Sequence, residues 1–186
     1  MYEATSLGRL LMVKKIGEHE LITSNGSFTL TGFVFGEDQQ LIFALWRLPP
    51  AESDTDIFLR VQYGCMNGTV FKAIDCDCGQ QVDASLRRIS ENGAGVFIYF
   101  PGHEALGFGA VVKMRIVELE KRAGIGFFDA IHALGLAGPG VDVLWTVPHV
   151  LHEIGVTEPV VLLGKHLDKS TRLQEIGIPI RRIEDL

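Results

Sequence analysis

The chain has 186 residues, 47% hydrophobic and 22% charged, a balance that excludes a disordered or fibrous protein and suffices for one sizeable core. Its formal net charge of −6 offers no basic footprint for a nucleic acid polymer or an anionic membrane surface. No apolar run reaches the roughly 18 residues of a spanning helix, and the opening MYEATSLGRLLMVKK lacks the apolar stretch of a signal peptide, so a cytoplasmic protein is expected.

From Leu10 to about Phe71 the pattern is short and strand-like. LLMVKKI, ELITS, SFTLTGFVF, LIFALWRL and IFLRVQYG are separated by turn signals, among them Asn25-Gly26 and Gly36-Glu37-Asp38. Leu48 to Asp56, with two prolines and three acids, reads as an exposed loop. The period then changes. QQVDASLRRISENG places Val82, Leu86 and Ile89 on one helical face, with Gly93 at the C-cap. GVFIYF reads as a buried strand, PGHEALGFG as a loop, and AVVKMRIVELEKRAG as a helix stopped by Gly124. VDVLWTVPHVLHEIGV is expected to be a helix disturbed by Pro148. PVVLLG, DKSTRLQEIG and IPIRRI then form a strand, a helix and a strand, a βαβ-like ending. Residues 1–186 are therefore expected to form a single α/β (α+β) domain, β-rich in its first third, with alternating helices and strands after it.

All three cysteines lie within CMNGTVFKAIDCDCG, as Cys65, Cys76 and Cys78. Three thiols cannot all pair, and without an export signal a disulfide framework is not expected. Zinc favours thiolate donors in a tetrahedron, and three protein ligands leave one position for water. Buried, unrelated thiols are the competing reading. The C-x-C spacing serves one ion only if the backbone turns around Asp77, which Gly79 eases.

The segment RVQYGCMNGTVFKAIDCDCGQQVDASL resembles the signature region of GTP cyclohydrolase II, which reads R-V-H-S-E-C-L-T-G-D and then C-D-C-G-x-Q-L. The cysteine spacing matches, as do Arg60, Val61, Gly68, Phe71, Asp77, Gly79 and Gln81. LITSNGSFTLTGF and VTEPVVLLGKHLDKSTRLQEIGIPI are similar to the family's opening and closing segments. The resemblance implies one catalytic zinc per chain on Cys65, Cys76 and Cys78, opening of the imidazole ring of GTP with release of formate, and a homodimer. It also implies that Arg60, Gln81 and Lys169 bind the substrate.

Other family positions differ. The glutamate–glycine–arginine motif corresponds to Glu104, Ala105 and Leu106, so a phosphate clamp has lost its charge. Pro139 and Val141 stand where the family has an aspartate that accepts a proton and an arginine proposed to attack the α-phosphate, and Val117 replaces a tyrosine. Gln62 and Gly64 replace a histidine and a glutamate. His103 and Glu104, in the glycine-bearing loop, are the catalytic candidates, since a carboxylate beside a metal-bound water suits a general base. His132, His149, His152 and His166 show no decisive spacing. The expectation is a zinc-dependent hydrolase opening a C–N bond of a purine-like or related nitrogen heterocycle without pyrophosphate release. The alternative is a non-catalytic zinc-containing relative that binds a nucleotide or a partner protein.

Overall fold

The computed structural model describes residues 12–51, 53–136, 142–164 and 167–186, so Pro139, Val141 and His166 lie outside it. Seven strands form one mixed sheet: β1 (Val13–Thr23), β2 (Gly26–Phe35), β3 (Gln40–Arg47), β4 (Ile57–Tyr63), β5 (Gly95–Phe100), β6 (Val160–Leu163) and β7 (Ile180–Glu184). Their spatial order is β1-β2-β3-β5-β4-β6-β7. The first three form an antiparallel meander, β5 joins it antiparallel to β3, and β5, β4, β6 and β7 run parallel to one another.

Among the described residues the helices are α1 (Met66–Thr69), α2 (Cys78–Asn92), α3 (Ala110–Ala123), α4 (Phe127–Ala133), α5 (Val147–Glu153) and α6 (Leu167–Glu175). Gly93 and Gly124 end α2 and α3 in left-handed conformations, φ 81° and 64°, as the sequence predicts. The β6–α6–β7 unit is the expected βαβ ending.

Two expectations are corrected. LLMVKKI and ELITS are not separate strands, because β1 runs continuously through Gly17 with a register shift between Lys15 and Gly17. A bulge absorbs the glycine instead of ending the strand. Pro148 does not disturb a helix but stands in the first turn of α5, where its missing N–H has no intrahelical acceptor to serve. A short 3-10 turn, Leu144–Thr146, precedes it.

The side-chain alternation of β4 divides the core. Leu59 and Val61 face Phe33, Ile98, Phe100 and α5 residues Val147, Val150 and Leu151. Phe58 instead joins Phe97, Val161 and Leu163 against Leu86 and Ile89 of α2. The carboxyl ends of β4, β5 and β6 lead into Gly64-Cys65, Pro101 to Glu104, and Gly164, so these three segments gather at one rim. A crevice outside the carboxyl ends of parallel strands is where open α/β sheets place their ligands.

Candidate active site

Cys65 caps α1, Cys76 lies on the loop that leads from α1 to α2, and Cys78 is the first residue of α2. The three sulfurs lie within 4.8 Å of one another, and Cys65 Sγ is 3.5 Å from Cys76 Sγ. Tetrahedral zinc with bonds of about 2.3 Å places thiolates about 3.8 Å apart, so this spacing fits such an ion. The N-terminus of α2 adds a favourable field for a thiolate at Cys78.

The two glycines of the motif permit this convergence. A Cβ at Gly68 would stand 2.8 Å from Cys76 Sγ, and one at Gly79 would stand 2.3 Å from the Gly68 carbonyl oxygen. Burial raises the Cys65 and Cys78 thiols above their ordinary pKa; Cys65 and Cys76 push Cys78 further up, whereas at Cys65 the Gly68 backbone and a hydrogen bond with Cys78 oppose the rise that Cys76 adds. Three clustered thiolates need a cation to coexist, and the donor set suits a soft divalent one.

Glu104 is 6% exposed, and its Oε1 accepts a hydrogen bond from the Met66 N–H, the residue after Cys65. This contact ties the β5 loop to the cysteine segment. Gly64 makes the same closure possible, because a Cβ there would stand 2.3 Å from the Pro101 carbonyl oxygen. The glutamate of the family pattern at this position has no room in this backbone.

Arg60 is buried at 4% exposure, and among the described residues no carboxylate hydrogen-bonds to it. Its Nε and Nη2 donate to Gln62 Oε1 at 3.1 and 2.6 Å, Nη2 to Gln81 Oε1 at 2.6 Å, and Nη1 to the Leu163 carbonyl at 3.0 Å. Gln81 Nε2 donates to Asp77 Oδ2 at 2.7 Å, so a relay runs from Arg60 to the residue between two cysteines. Burial lowers the Arg60 pKa, and the charges of Cys78 and Asp77 oppose that shift. A cavity of about 620 Å³, lined by Arg60, Asp77, Gln81, Arg87 and Gly164, opens beside this relay.

Lys169 lines a small cleft with Arg60 and reaches the Tyr63 ring, against which His103 also packs. Lys169 Nζ donates to the Val61 carbonyl at 3.0 Å and sits 4.2 Å from the centre of the Tyr63 ring. Its pKa falls to about 7, first through burial and then through Arg60. The His103 ring packs on Tyr63 with centroids 4.4 Å apart. The structure thus groups the cysteines, Glu104, Gln81 and Arg60 with α2, and sets His103 and Lys169 around Tyr63.

Sequence reasoning missed Tyr99. Burial raises its pKa first, and the charges of Glu104, Cys65 and Cys78 add to that, while a hydrogen bond with Thr69 opposes it. It is the one polar side chain in GVFIYF, and that was the available signal. His132 lies on α4, and His149 packs edge-on against Trp145 at 6.1 Å, so neither joins the cysteines.

A sequence profile of GTP cyclohydrolase II matches residues 14–184. The chain belongs to the GTP cyclohydrolase II family. Among its relatives are the riboflavin biosynthesis proteins RibBA of Rhodococcus erythropolis, 36% identical over 171 residues, and of Rhodococcus jostii, 32% identical over 171 residues. In both, the match covers 90% of this chain and 40% of the relative, so the chain spans about two fifths of the length of those proteins. The crystal structure of RibBX, a two-domain 3,4-dihydroxy-2-butanone 4-phosphate synthase from A. baumannii, aligns with a TM-score of 0.48 at 14% identity, over 92% of this chain and 40% of that one. Ala105 and Leu106 are the residues that the resemblance sets against the family's glycine and arginine. They adopt left-handed φ values of 48° and 60°, and Leu106 presents an exposed apolar side chain.

Proposed function

We propose that the chain holds one zinc ion on Cys65, Cys76 and Cys78 and hydrolyses a C–N bond of a purine-like or related nitrogen heterocycle, without releasing pyrophosphate. The convergence of three sulfurs within 4.8 Å beside a buried carboxylate carries this reading. Zinc bound there would supply a water acidified to near neutrality as the nucleophile.

The remaining steps belong to the chain's own residues. Glu104, held by the Met66 N–H, keeps its second oxygen for accepting a proton at the cysteine side. Tyr99, whose pKa is raised by burial and then by the charges of Glu104, Cys65 and Cys78, holds its phenolic proton and can donate it to a ring nitrogen or carbonyl. Arg60 and Gln81 line the adjoining 620 Å³ cavity and offer donors to a polar ring or ribose. Leu106 cannot neutralise a triphosphate, which leaves the pyrophosphate step without its cation. The catalytic role expected of His103 and the substrate contact that the resemblance implies for Lys169 then concern the Tyr63 side of the rim.

A second reading, a non-catalytic zinc-containing binder, is favoured by one observation. Four donor contacts of Arg60 are already taken by Gln62, Gln81 and Leu163. A homodimer in the cytoplasm completes the proposal. It is supported by apolar side chains left exposed at Phe71, Ile74, Val111, Met114 and Phe128, and light scattering on the purified chain tests it.

Metal analysis should return close to one zinc per chain, lost in Cys76→Ser; a metal-free, folded protein would refute both readings. Incubation with GTP, other nucleotides and free heterocycles should then yield formate or an opened ring, and no product with any of them favours the binder. Pyrophosphate from GTP at an enzymatic rate would overturn the phosphate argument.

A further inference from the structure

A second cavity, of about 520 Å³, opens on the α5 side of the sheet. Phe35, Phe100 and Val143, all nearly fully buried, supply apolar walls, and Gln39 and Gln40 of the β2–β3 turn bring two amides to its rim. His103 completes the lining. None of these residues belongs to the cysteine cluster or to the Arg60 relay.

His103 is the decisive feature. Its side chain is 7% exposed, yet among the described residues its ring nitrogens have no hydrogen-bond partner. Among the described residues no side-chain nitrogen or oxygen is both sealed from solvent and unpaired, so those nitrogens open onto free space. A ring nitrogen that opens onto a cavity takes its hydrogen bond from whatever fills that cavity, water or a ligand. One face of the ring is already fixed against Tyr63.

Electrostatics limit what that occupant can be. Burial, and then the charge of Lys169, lower the His103 pKa, with Asp142 opposing them, so the ring is neutral and offers one donor and one acceptor. Among the described residues no cationic side chain lines the cavity to hold an anion. Aromatic walls favour a flat ring packed edge or face against them, and the volume lies within the range of small-ligand pockets, roughly 300–1,000 Å³.

We propose that this cavity binds a planar, uncharged heteroaromatic ring, separately from the cysteine centre, with the His103 imidazole as its hydrogen-bonding anchor and the Gln39 and Gln40 amides at its edge. The site is independent of the hydrolase reading, so either can fail alone.

Adenine and hypoxanthine are the probes, with benzoate as the charged, flat comparator, titrated calorimetrically into the full chain as purified. At least one base should bind with 1:1 stoichiometry at sub-millimolar concentration, and benzoate should not. His103→Phe, which keeps a ring against Tyr63, should weaken binding about tenfold, the scale of one lost hydrogen bond. Gln40→Ala, an exposed change that leaves folding intact, should weaken it about threefold by the same argument. Cys76→Ser should leave the affinity within twofold of the unchanged chain, by the additivity of separated sites, about 0.4 kcal/mol. The proposal is overturned by absence of saturable binding for both bases, by equal binding of benzoate, by full affinity in both His103→Phe and Gln40→Ala, or by loss in Cys76→Ser.

Discussion

Gly68 and Gly79 approach so closely that a methyl group on Gly79 would stand 2.3 Å from the Gly68 carbonyl oxygen. The contact is between backbones, so no rotamer change can relieve it. It sets the separation between α1 and the start of α2, and with it the distance from Cys65 to Cys76 and Cys78. Gly79→Ala should therefore lower both stability and zinc content, with a loss of about 2 kcal/mol or more from the forced shift. Gly102→Ala, whose added Cβ meets nothing within 4 Å, should stay within about 0.5 kcal/mol of the unchanged chain. Urea unfolding and metal analysis of the two variants check this; retention of full zinc by Gly79→Ala would remove the role given to the glycine contact.

Ala105 carries a different backbone burden. Its φ of 48° is a conformation that costs a residue with a Cβ about 1 kcal/mol. The loop tolerates it because the Gly107 and Gly109 N–H groups both bond the Glu104 carbonyl at 3.0 Å, closing the chain around the carboxylate that caps Met66. Ala105→Gly should relieve that strain and stabilise the protein by about 0.5 kcal/mol, after the entropy of the freer unfolded chain is subtracted. Thermal unfolding measures it. A lower midpoint would mean that the Ala105 methyl, packed near Ile116 and Phe108, contributes more than the strain removes.

Lys169 links the site to pH. Its folded-state pKa, about 7, lies below its ordinary 10.5, so between those values the unfolded chain binds the extra proton. Stability then rises with pH across that window, and the penalty of the buried ammonium is fully present below about pH 7. Lys169→Met removes the penalty along with the hydrogen bond to Val61, and the latter loss is the same at both ends of the window. Relative to the unchanged chain, the variant should therefore be more favoured at pH 6 than at pH 10. Urea unfolding at the two pH values checks the sign; an identical difference at both would show that Lys169 titrates normally.

Much of this architecture was legible because local signals agreed with the global fold. The glycine caps of α2 and α3 and the βαβ ending follow from periodicity and turn chemistry. So does the hairpin, whose tip is Ser24-Asn25 with Gly26 at φ 113° paired to Thr23. Strand order was not legible, since β5 inserts between β3 and β4 through long-range pairing that no local pattern encodes. The cysteine cluster was readable from spacing and resemblance together. The turn of His103 toward Tyr63 was not, because it depends on which face of the sheet the β5 loop approaches. Adjacent residues in GHEAL diverge: Glu104 turns to Met66 while His103 turns to Tyr63.

Gln62 shows how a departure from the family pattern can be structural. Its Oε1 accepts from both Nε and Nη2 of Arg60, giving a buried guanidinium a neutral partner in place of a carboxylate. Gln62→Ala would leave those N–H groups without that acceptor, at a cost of about 1–3 kcal/mol. Gln62→Glu keeps the acceptor and adds the missing counter-charge, so it should hold or raise stability even though burying a carboxylate is unfavourable on its own. Chemical denaturation should rank Glu at or above Gln, and both above Ala. An alanine variant as stable as the unchanged chain would mean that water replaces Gln62 freely.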